Sequence, residues 1–171
     1  MKHSMNTAKY FHLVLGLLAT LSASAGPKQP AQTLKAFSTT DPVISKDLTV
    51  ADDKAWLADC KQAQTFRLFE VEKPSVEQCV VTYRAKLKTE NVTGQAYLEM
   101  WCRFPGKGEF FSRGLANPVT GSNDWAAYET PFFLKKGEKP DLIKLNLVVK
   151  GTGKVWVKEV QLLKGPLPAG Q

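Results

Sequence analysis

The residues with the clearest chemical potential lie in the run from Gln95 to Phe104. If this run is a β-strand, its side chains alternate between two faces, and one face is apolar throughout. The opposite face then carries Tyr97, Glu99, Trp101 and Arg103. Aromatic rings stack on the apolar C–H face of a pyranose, while carboxylate and guanidinium groups hydrogen-bond its hydroxyls. The pattern therefore predicts a sugar-binding surface, with stacking by Trp101 and Tyr97 and polar contacts from Glu99 and Arg103.

The preceding run, residues 78–88, alternates in the same way. Its odd-numbered residues from Cys79 to Leu87 are predicted to face the core, which leaves Thr82 and Arg84 on the other side. Arg84 is predicted to extend the binding surface if both strands belong to one sheet. The alternative is structural: a loop covers Trp101 and Tyr97, and Glu99 forms a surface ion pair with Arg84 or Arg103.

Residues 1–25 have the features of an export signal. Lys2 and Lys9 give a positive beginning, Tyr10 to Leu21 is an apolar run too short to span a bilayer, and Ala23-Ser24-Ala25 is typical of a cleavage site. Cleavage would leave a mature protein that begins near Gly26. We therefore expect a periplasmic or secreted protein with no membrane association after cleavage.

Removal of this segment restricts the available catalytic chemistry. Both histidines, His3 and His12, lie within it, so neither a Ser-His-Asp nor a Cys-His mechanism is expected in the mature chain, nor a His-ligated zinc. A glycosidase would need two carboxyl groups about 5 to 10 Å apart. Glu99 with Glu109 or Asp124 is the only such grouping, and no motif singles it out. The sequence therefore predicts a protein that is not an enzyme.

The charge of the mature chain does not indicate nucleic-acid binding. The signal holds two of the 23 basic residues and none of the 16 acidic ones, so 21 against 16 remain, a net charge of +5. The lysines are scattered, and no basic cluster is interleaved with aromatic residues. We expect a solvated, solubilising surface and no nucleic-acid partner.

Eight short runs of strand-forming residues, separated by turn residues, predict an all-β sandwich. They lie at roughly 43–50, 65–71, 78–88, 95–104, 109–113, 125–134, 142–150 and 154–163. Residues 26–37 are predicted to be a flexible leader and residues 51–63 a loop or a helical turn. The domain is expected to span residues 38–165, followed by a tail at 166–171.

The cysteines Cys79 and Cys102 both fall on the core-facing phase of their strands. A hairpin turning about Glu90 and Asn91 would place them opposite each other, and strands in opposite sheets would bring them together across the core. Either arrangement predicts a Cys79–Cys102 disulfide. Cys60 would be left over, either buried or free on a loop.

The C-terminal stretch from Thr120 to Leu163 reads as three strands joined by two loops. Its characteristic residues are Gly121, Ser122, Asp124, Trp125, Gly151, Gly153, Val155 and Trp156. This layout resembles the closing strands of the galactose-binding-like β-jelly-roll, the fold of many carbohydrate-binding modules. The resemblance reaches back, more weakly, to about Gln64, and it implies a two-sheet β-sandwich, in which we expect Trp156 to lie inside.

The resemblance also implies a non-catalytic glycan-binding protein that needs no cofactor. Many modules of this fold hold a structural calcium through an acid in a Trp-x-Asp-Asp-Val pattern, where this chain has Trp156-Val157-Lys158-Glu159-Val160. Lys158 shares the phase of Trp156, so we expect its ammonium to point inward in place of an ion, and no metal site is assigned. The second hypothesis is a small periplasmic or cell-surface domain that binds a protein partner through the same aromatic residues.

Overall fold

The computed structural model of the protein describes residues 30–51 and 54–168, which form nine β-strands. They are β1 (Gln32–Phe37), β2 (Thr49–Ala51), β3 (Ala55–Cys60), β4 (Gln64–Glu72), β5 (Cys79–Phe104), β6 (Gly108–Arg113), β7 (Val119–Leu134), β8 (Leu142–Val149) and β9 (Gly153–Gly165). The predicted signal at residues 1–25 lies outside the described residues.

Strand β5 belongs to both layers of the fold. Its first part, from Cys79 to Glu90, pairs with β7 and β9, and its last part, from Ala96 to Phe104, pairs with β6 and β8. Strands β1 and β3 both pair with β9, β2 extends β3, and β4 pairs with β8. All these pairs are antiparallel, and the curled sheet forms two packed layers. The predicted all-β sandwich is therefore confirmed.

The inward-facing residues of β5 change from odd to even numbers along the strand. Odd-numbered residues are buried from Cys79 to Leu87, and even-numbered residues are buried from Ala96 to Phe104. Three register shifts between Leu87 and Ala96 accommodate this change of phase. Asn91, which has a φ of 55°, lies in the same stretch. One strand thus lines the core from both layers, where the sequence predicted two separate strands; the inward residues of each run agree with the prediction.

The turn between β8 and β9 packs tightly against the middle of β5. A Cβ atom on Gly153, which has a φ of 121°, would lie 2.6 Å from the Asn91 carbonyl oxygen. Thr152 bonds to Thr93 through its backbone N–H, at 3.1 Å. Glycine is required at 153 because both the backbone angle and the space exclude a side chain.

Two segments that were predicted to lack strands form them. The leader prediction for residues 26–37 is wrong for β1, which pairs with β9 and whose Phe37 ring stacks on Phe69 at 3.9 Å. Residues 51–63 hold β3 rather than a loop or helical turn, and Trp56 on β3 is 2% exposed. Conversely, the predicted strand at 43–50 is reduced to the short β2. Tertiary contacts outweigh local composition in both strands.

The cysteine prediction is not met in the structure. Cys79 and Cys102 are both buried, free thiols, and Cys60 is a third. The proposed hairpin register is wrong because residues 79–104 form one continuous strand, in which Val81 pairs with Phe132 and Lys164. Cys79 and Cys102 lie on the inward faces of opposite layers, which is the second arrangement predicted, but they form no disulfide. Burial raises the pKa of the Cys102 thiol to about 12, so this group is a thiol rather than a thiolate at neutral pH.

Strand β9 contradicts the expected inward positions of Trp156 and Lys158. Val155 and Val157 are fully buried, whereas Trp156 and Lys158 are half-buried on the outer side. The Lys158 ammonium lies 3.8 Å from the centre of the Trp125 ring. The phase changes at Glu159, a positive-φ residue in a bulge, so that Val160 again faces the core.

Within residues 30–51 and 54–168, no group of three or more His, Cys, Asp or Glu side chains is arranged to hold a metal ion. In the same part of the chain, no helix is long and apolar enough to cross a bilayer.

We expect Tyr83→Phe to raise the free energy of unfolding by about 1 kcal/mol. Tyr83 is fully buried, and its hydroxyl has no hydrogen-bond partner among the described residues, so the substitution removes an unsatisfied polar group. Urea unfolding measures the change, with Tyr128→Phe as the control at a half-buried position. A loss of stability in Tyr83→Phe would show that the hydroxyl is satisfied after all.

Candidate functional site

The outer surface of the second layer carries the candidate site, here called the polar-aromatic face. It consists of Tyr97, Glu99, Trp101 and Arg103 on β5, Glu109, Phe111 and Arg113 on β6, and Lys144 and Asn146 on β8. The strand register sets their order. Glu99 lies between Arg113 and Asn146, and the next row places Trp101 between Phe111 and Lys144. Residues directly opposite each other on neighbouring strands are close enough for their side chains to touch.

Glu99 is the centre of this face. It is 5% exposed, and its carboxylate accepts hydrogen bonds from three strands. Oε1 accepts from Trp101 Nε1 at 2.8 Å and from Asn146 Nδ2 at 3.2 Å, and Oε2 accepts from Arg113 Nε at 2.6 Å. A buried carboxylate is stable only with such partners. The bonds therefore fix the orientations of the tryptophan, the arginine and the asparagine.

The ionised form of Glu99 is favoured by these partners. Burial alone would raise the pKa of Glu99, but the hydrogen bonds from Trp101, Arg113 and Asn146, together with the charge of Arg113, outweigh it. The pKa of Glu99 therefore lies below its usual value. At neutral pH this side chain is an acceptor and not a proton donor.

Aromatic rings stand beside this hydrogen-bonded centre. The Trp101 and Phe111 rings are neighbours, with centroids 5.0 Å apart and planes tilted by 54°. The Arg113 guanidinium carbon lies 4.1 Å from the centre of the Phe111 ring. Phe111 is 50% exposed and Trp101 is half-buried. The face thus offers one open ring and part of a second.

The charged groups of the face are paired. Besides Arg113 with Glu99, Arg103 bonds both carboxylate oxygens of Asp141, at 2.9 and 3.1 Å, and Lys144 bonds Glu109 at 2.6 Å. Three cations are therefore matched by three anions. The face has no net charge from these groups.

Asn146 leaves one polar atom unused. Asn146 is 6% exposed, and its Nδ2 donates a hydrogen bond to Glu99. Its Oδ1 is buried and has no hydrogen-bond partner among the described residues. A buried acceptor without a donor is unfavourable, so this atom lowers the stability of the face.

The structure brings together four of the five predicted site residues. Tyr97, Glu99, Trp101 and Arg103 share one face, but Tyr97 and Glu99 are each 5% exposed, so neither is an open contact surface. Burial raises the pKa of the Tyr97 hydroxyl. Glu99 pairs with Arg113, not with the arginines that the sequence suggested.

Arg84 does not belong to this site. It lies on the outer surface of the first layer, where its Nε and Nη2 donate to Glu129 Oε2 at 3.0 and 2.8 Å. The two parts of β5 lie in different layers, which is why Arg84 and Trp101 are separated. The carboxyl grouping of Glu99 with Asp124 also fails, since Asp124 is on β7 and accepts from the Trp125 backbone N–H at 2.7 Å.

Four residues of the face were missed from sequence: Phe111, Arg113, Lys144 and Asn146. The alternation of Glu109, Phe111 and Arg113 along β6 is a period-two signal that could have placed them on one side. Nothing in the sequence indicates that β6 and β8 flank the last part of β5. Asn146 has no local signal at all.

We expect Arg113→Met to lower the free energy of unfolding by about 1 to 3 kcal/mol, because it leaves the buried Glu99 carboxylate without its cation. Arg103→Met is the matched control. Its partner Asp141 is exposed, and loss of an exposed pair costs about 0 to 1 kcal/mol. Urea unfolding of both variants tests the difference. Equal losses would contradict the central role of Glu99.

The stability difference between the protein and its Glu99→Gln variant should depend on pH. The pKa of Glu99 is lowered by folding, so its contribution is present above the ordinary value of 4.5 and is lost as pH falls through the lower folded value. The difference should therefore be largest near neutrality and shrink below pH 4.5. Unfolding curves across this range measure it. A constant difference would show that the carboxylate is not stabilised by folding.

Comparison with known proteins identifies the fold and not a family. No protein-family model matches the chain, and no curated protein matches it. Solved structures match at low identity. The CBM22-1 and GH10 modules of Clostridium thermocellum endo-1,4-beta-D-xylanase 10B, complexed with xylohexaose, align with a TM-score of 0.51 at 8% identity. That alignment covers 82% of this chain and 29% of the other.

Two further matches are also carbohydrate-binding modules. The CBM22-1 xylan-binding domain of Paenibacillus barcinonensis Xyn10C has 10% identity and a TM-score of 0.47, covering 81% of this chain and 97% of that domain. A family 16 carbohydrate-binding module has 9% identity and a TM-score of 0.48, covering 71% of this chain and 88% of the module. The chain has the β-jelly-roll fold of carbohydrate-binding modules, as the sequence resemblance implied.

Proposed function

We propose that this protein binds a neutral polysaccharide on its polar-aromatic face without cleaving it. The observation that carries the proposal is the exposed Phe111 ring beside the half-buried Trp101, whose indole N–H is held by the buried Glu99 carboxylate. The xylohexaose in the structure of the Clostridium modules is a ligand of this chemical kind.

The aromatic pair supplies the contact area. The Phe111 ring and the open part of Trp101 lie on adjacent strands, so they stack against the C–H faces of one or two sugar units. The Trp101 indole N–H is already bonded to Glu99, which holds the ring in one orientation. A side chain ordered before binding loses little further entropy when the sugar arrives.

The ion pairs favour an uncharged ligand. Arg113, Lys144 and Arg103 each have a carboxylate partner on the same surface. A uronic acid would have to displace one of these carboxylates and leave it unpaired. Neutral hydroxyls can add to the free positions of these groups without breaking a pair.

The hydrogen bonds of Glu99 argue against glycoside cleavage. A catalytic acid needs a raised pKa so that it holds a proton at working pH. The pKa of Glu99 is lowered, and both of its oxygens accept hydrogen bonds. Glu109 is bonded to Lys144. We therefore assign Glu99 to positioning, and the protein to binding.

We further propose that the protein is exported, on the strength of the signal features in residues 1–25. Export would place it where polysaccharides of cell walls and surfaces occur. N-terminal sequencing of the protein recovered from outside the cytoplasm should read from near Gly26.

A protein partner is the second candidate function. Phe110, Phe111 and Phe133 are each at least 41% exposed, and exposed aromatic side chains are favoured at protein interfaces. Soluble polysaccharide distinguishes the two functions, because only the first predicts that the protein binds it.

We expect the protein to bind xylan or glucomannan and to ignore polygalacturonate, measured by isothermal titration. Trp101→Ala and Phe111→Ala should each weaken binding by about tenfold or more, as loss of an aromatic anchor typically does.

Trp125→Ala is the matched control for Trp101→Ala. Trp125 is also half-buried, but it lies on β7 in the first layer, so its loss should leave the affinity unchanged. Unfolding curves verify that each variant is folded. Failure of every neutral polysaccharide to bind, or equal losses in both tryptophan variants, would refute the proposal and leave the protein-partner function.

A further inference from the structure

A cleft lies away from the polar-aromatic face, between the edges of β6 and β7. Each of these strands pairs only with β5 among the described residues. Ser112 joins the two edges, with its hydroxyl 2.6 Å from that of Thr130. The cleft, of about 210 Å³, lies beside the turn that precedes β6. It is lined by Phe104, Lys107, Phe110, Phe132, Phe133, Lys135 and Glu138.

The floor of this cleft is aromatic. Phe104 meets the edge of Phe110, with ring centroids 5.8 Å apart and planes at 69°, and it lies 6.2 Å from Phe132. Phe110 is 51% and Phe133 41% exposed, which is high for such large apolar side chains. The cleft therefore offers ring faces and edges to one further aromatic group.

The rim of the cleft is positive. Lys107 and Lys135 are exposed, and neither ammonium has an ion pair or a hydrogen bond within the described part of the chain. The one carboxylate of the lining, Glu138, accepts a hydrogen bond from the Lys135 backbone N–H at 2.8 Å. This contrasts with the polar-aromatic face, whose cations are all paired. An anionic group at this rim would gain two cations without displacing another anion.

We propose that this cleft binds a small aromatic carboxylate. The ring enters among the phenylalanines, and the carboxylate lies between Lys107 and Lys135. A volume of about 210 Å³ is smaller than the roughly 300 to 1,000 Å³ of pockets for drug-sized ligands, so a single ring with a short acidic chain fits best. Such a ligand matches both the apolar floor and the charge of the rim.

This cleft is separate from the polysaccharide site although one strand serves both. Phe110 and Phe111 are consecutive on β6, so their side chains point to opposite sides of the strand. Phe110 lines the cleft, and Phe111 contacts Trp101. The two exposed rings thus provide a matched pair of test positions.

The test is a nuclear magnetic resonance titration of the full protein with 3-phenylpropanoate and, separately, with 3-phenylpropanamide. The acid should bind with a dissociation constant of about 1 mM and shift amides around Phe110 and Phe133. The amide, which lacks the charge, should bind about fivefold more weakly. Added salt should weaken binding of the acid and leave the amide unaffected.

Three variants locate the site. Phe110→Ser should reduce binding of the acid at least about tenfold and leave polysaccharide binding intact. Phe111 is 50% exposed on the same strand, and Phe111→Ser should weaken polysaccharide binding and leave binding of the acid intact. The double variant K107Q/K135Q should give the acid the same affinity as the amide.

Four results would overturn the proposal: no shifts with the acid, equal affinities for acid and amide, retention of acid binding in Phe110→Ser, or a dimer in light scattering that Phe133→Ser abolishes. The last result would assign the cleft to a second copy of the chain.

Discussion

The passage of β5 from one layer to the other is the constraint on which the site depends. Its inward phase changes between Leu87 and Ala96, and without that change every side chain beyond it would turn to the opposite side. Glu99 would then face the core in place of Leu98, and a carboxylate without partners there is very costly. The same change of phase therefore keeps the apolar residues of β5 buried and places the polar-aromatic face on the outer surface.

Local alternation explains what could be predicted from the sequence. It gave the correct inward residues in both parts of β5, because the side-chain direction within a strand depends only on neighbouring residues. It could not identify strand neighbours. Arg113 and Asn146 reach Glu99 from 14 and 47 residues away, whereas Arg84, on the same strand, lies in the other layer.

Two further differences between sequence and structure also have physical causes. β1 has a polar, lysine-containing sequence, and it is held by pairing with β9 and by the stacking of Phe37 on Phe69. Such contacts are set by the whole fold and not by propensity. The position of Trp156 was misjudged because a bulge at Glu159 separates it in phase from Val160, and a bulge has no reliable sequence signal.

Strand β6 is largely exposed and contributes residues to both surfaces. Five of its six residues are exposed, it has one strand partner among the described residues, and the Ser112 hydroxyl bonds it to Thr130 of the other layer. Regions with few buried contacts open at lower free energy than the whole fold. Opening of this one strand would remove Phe110, Phe111 and Arg113 together while the core stays folded. The fraction of molecules with β6 closed would therefore set the upper limit of affinity at both proposed sites.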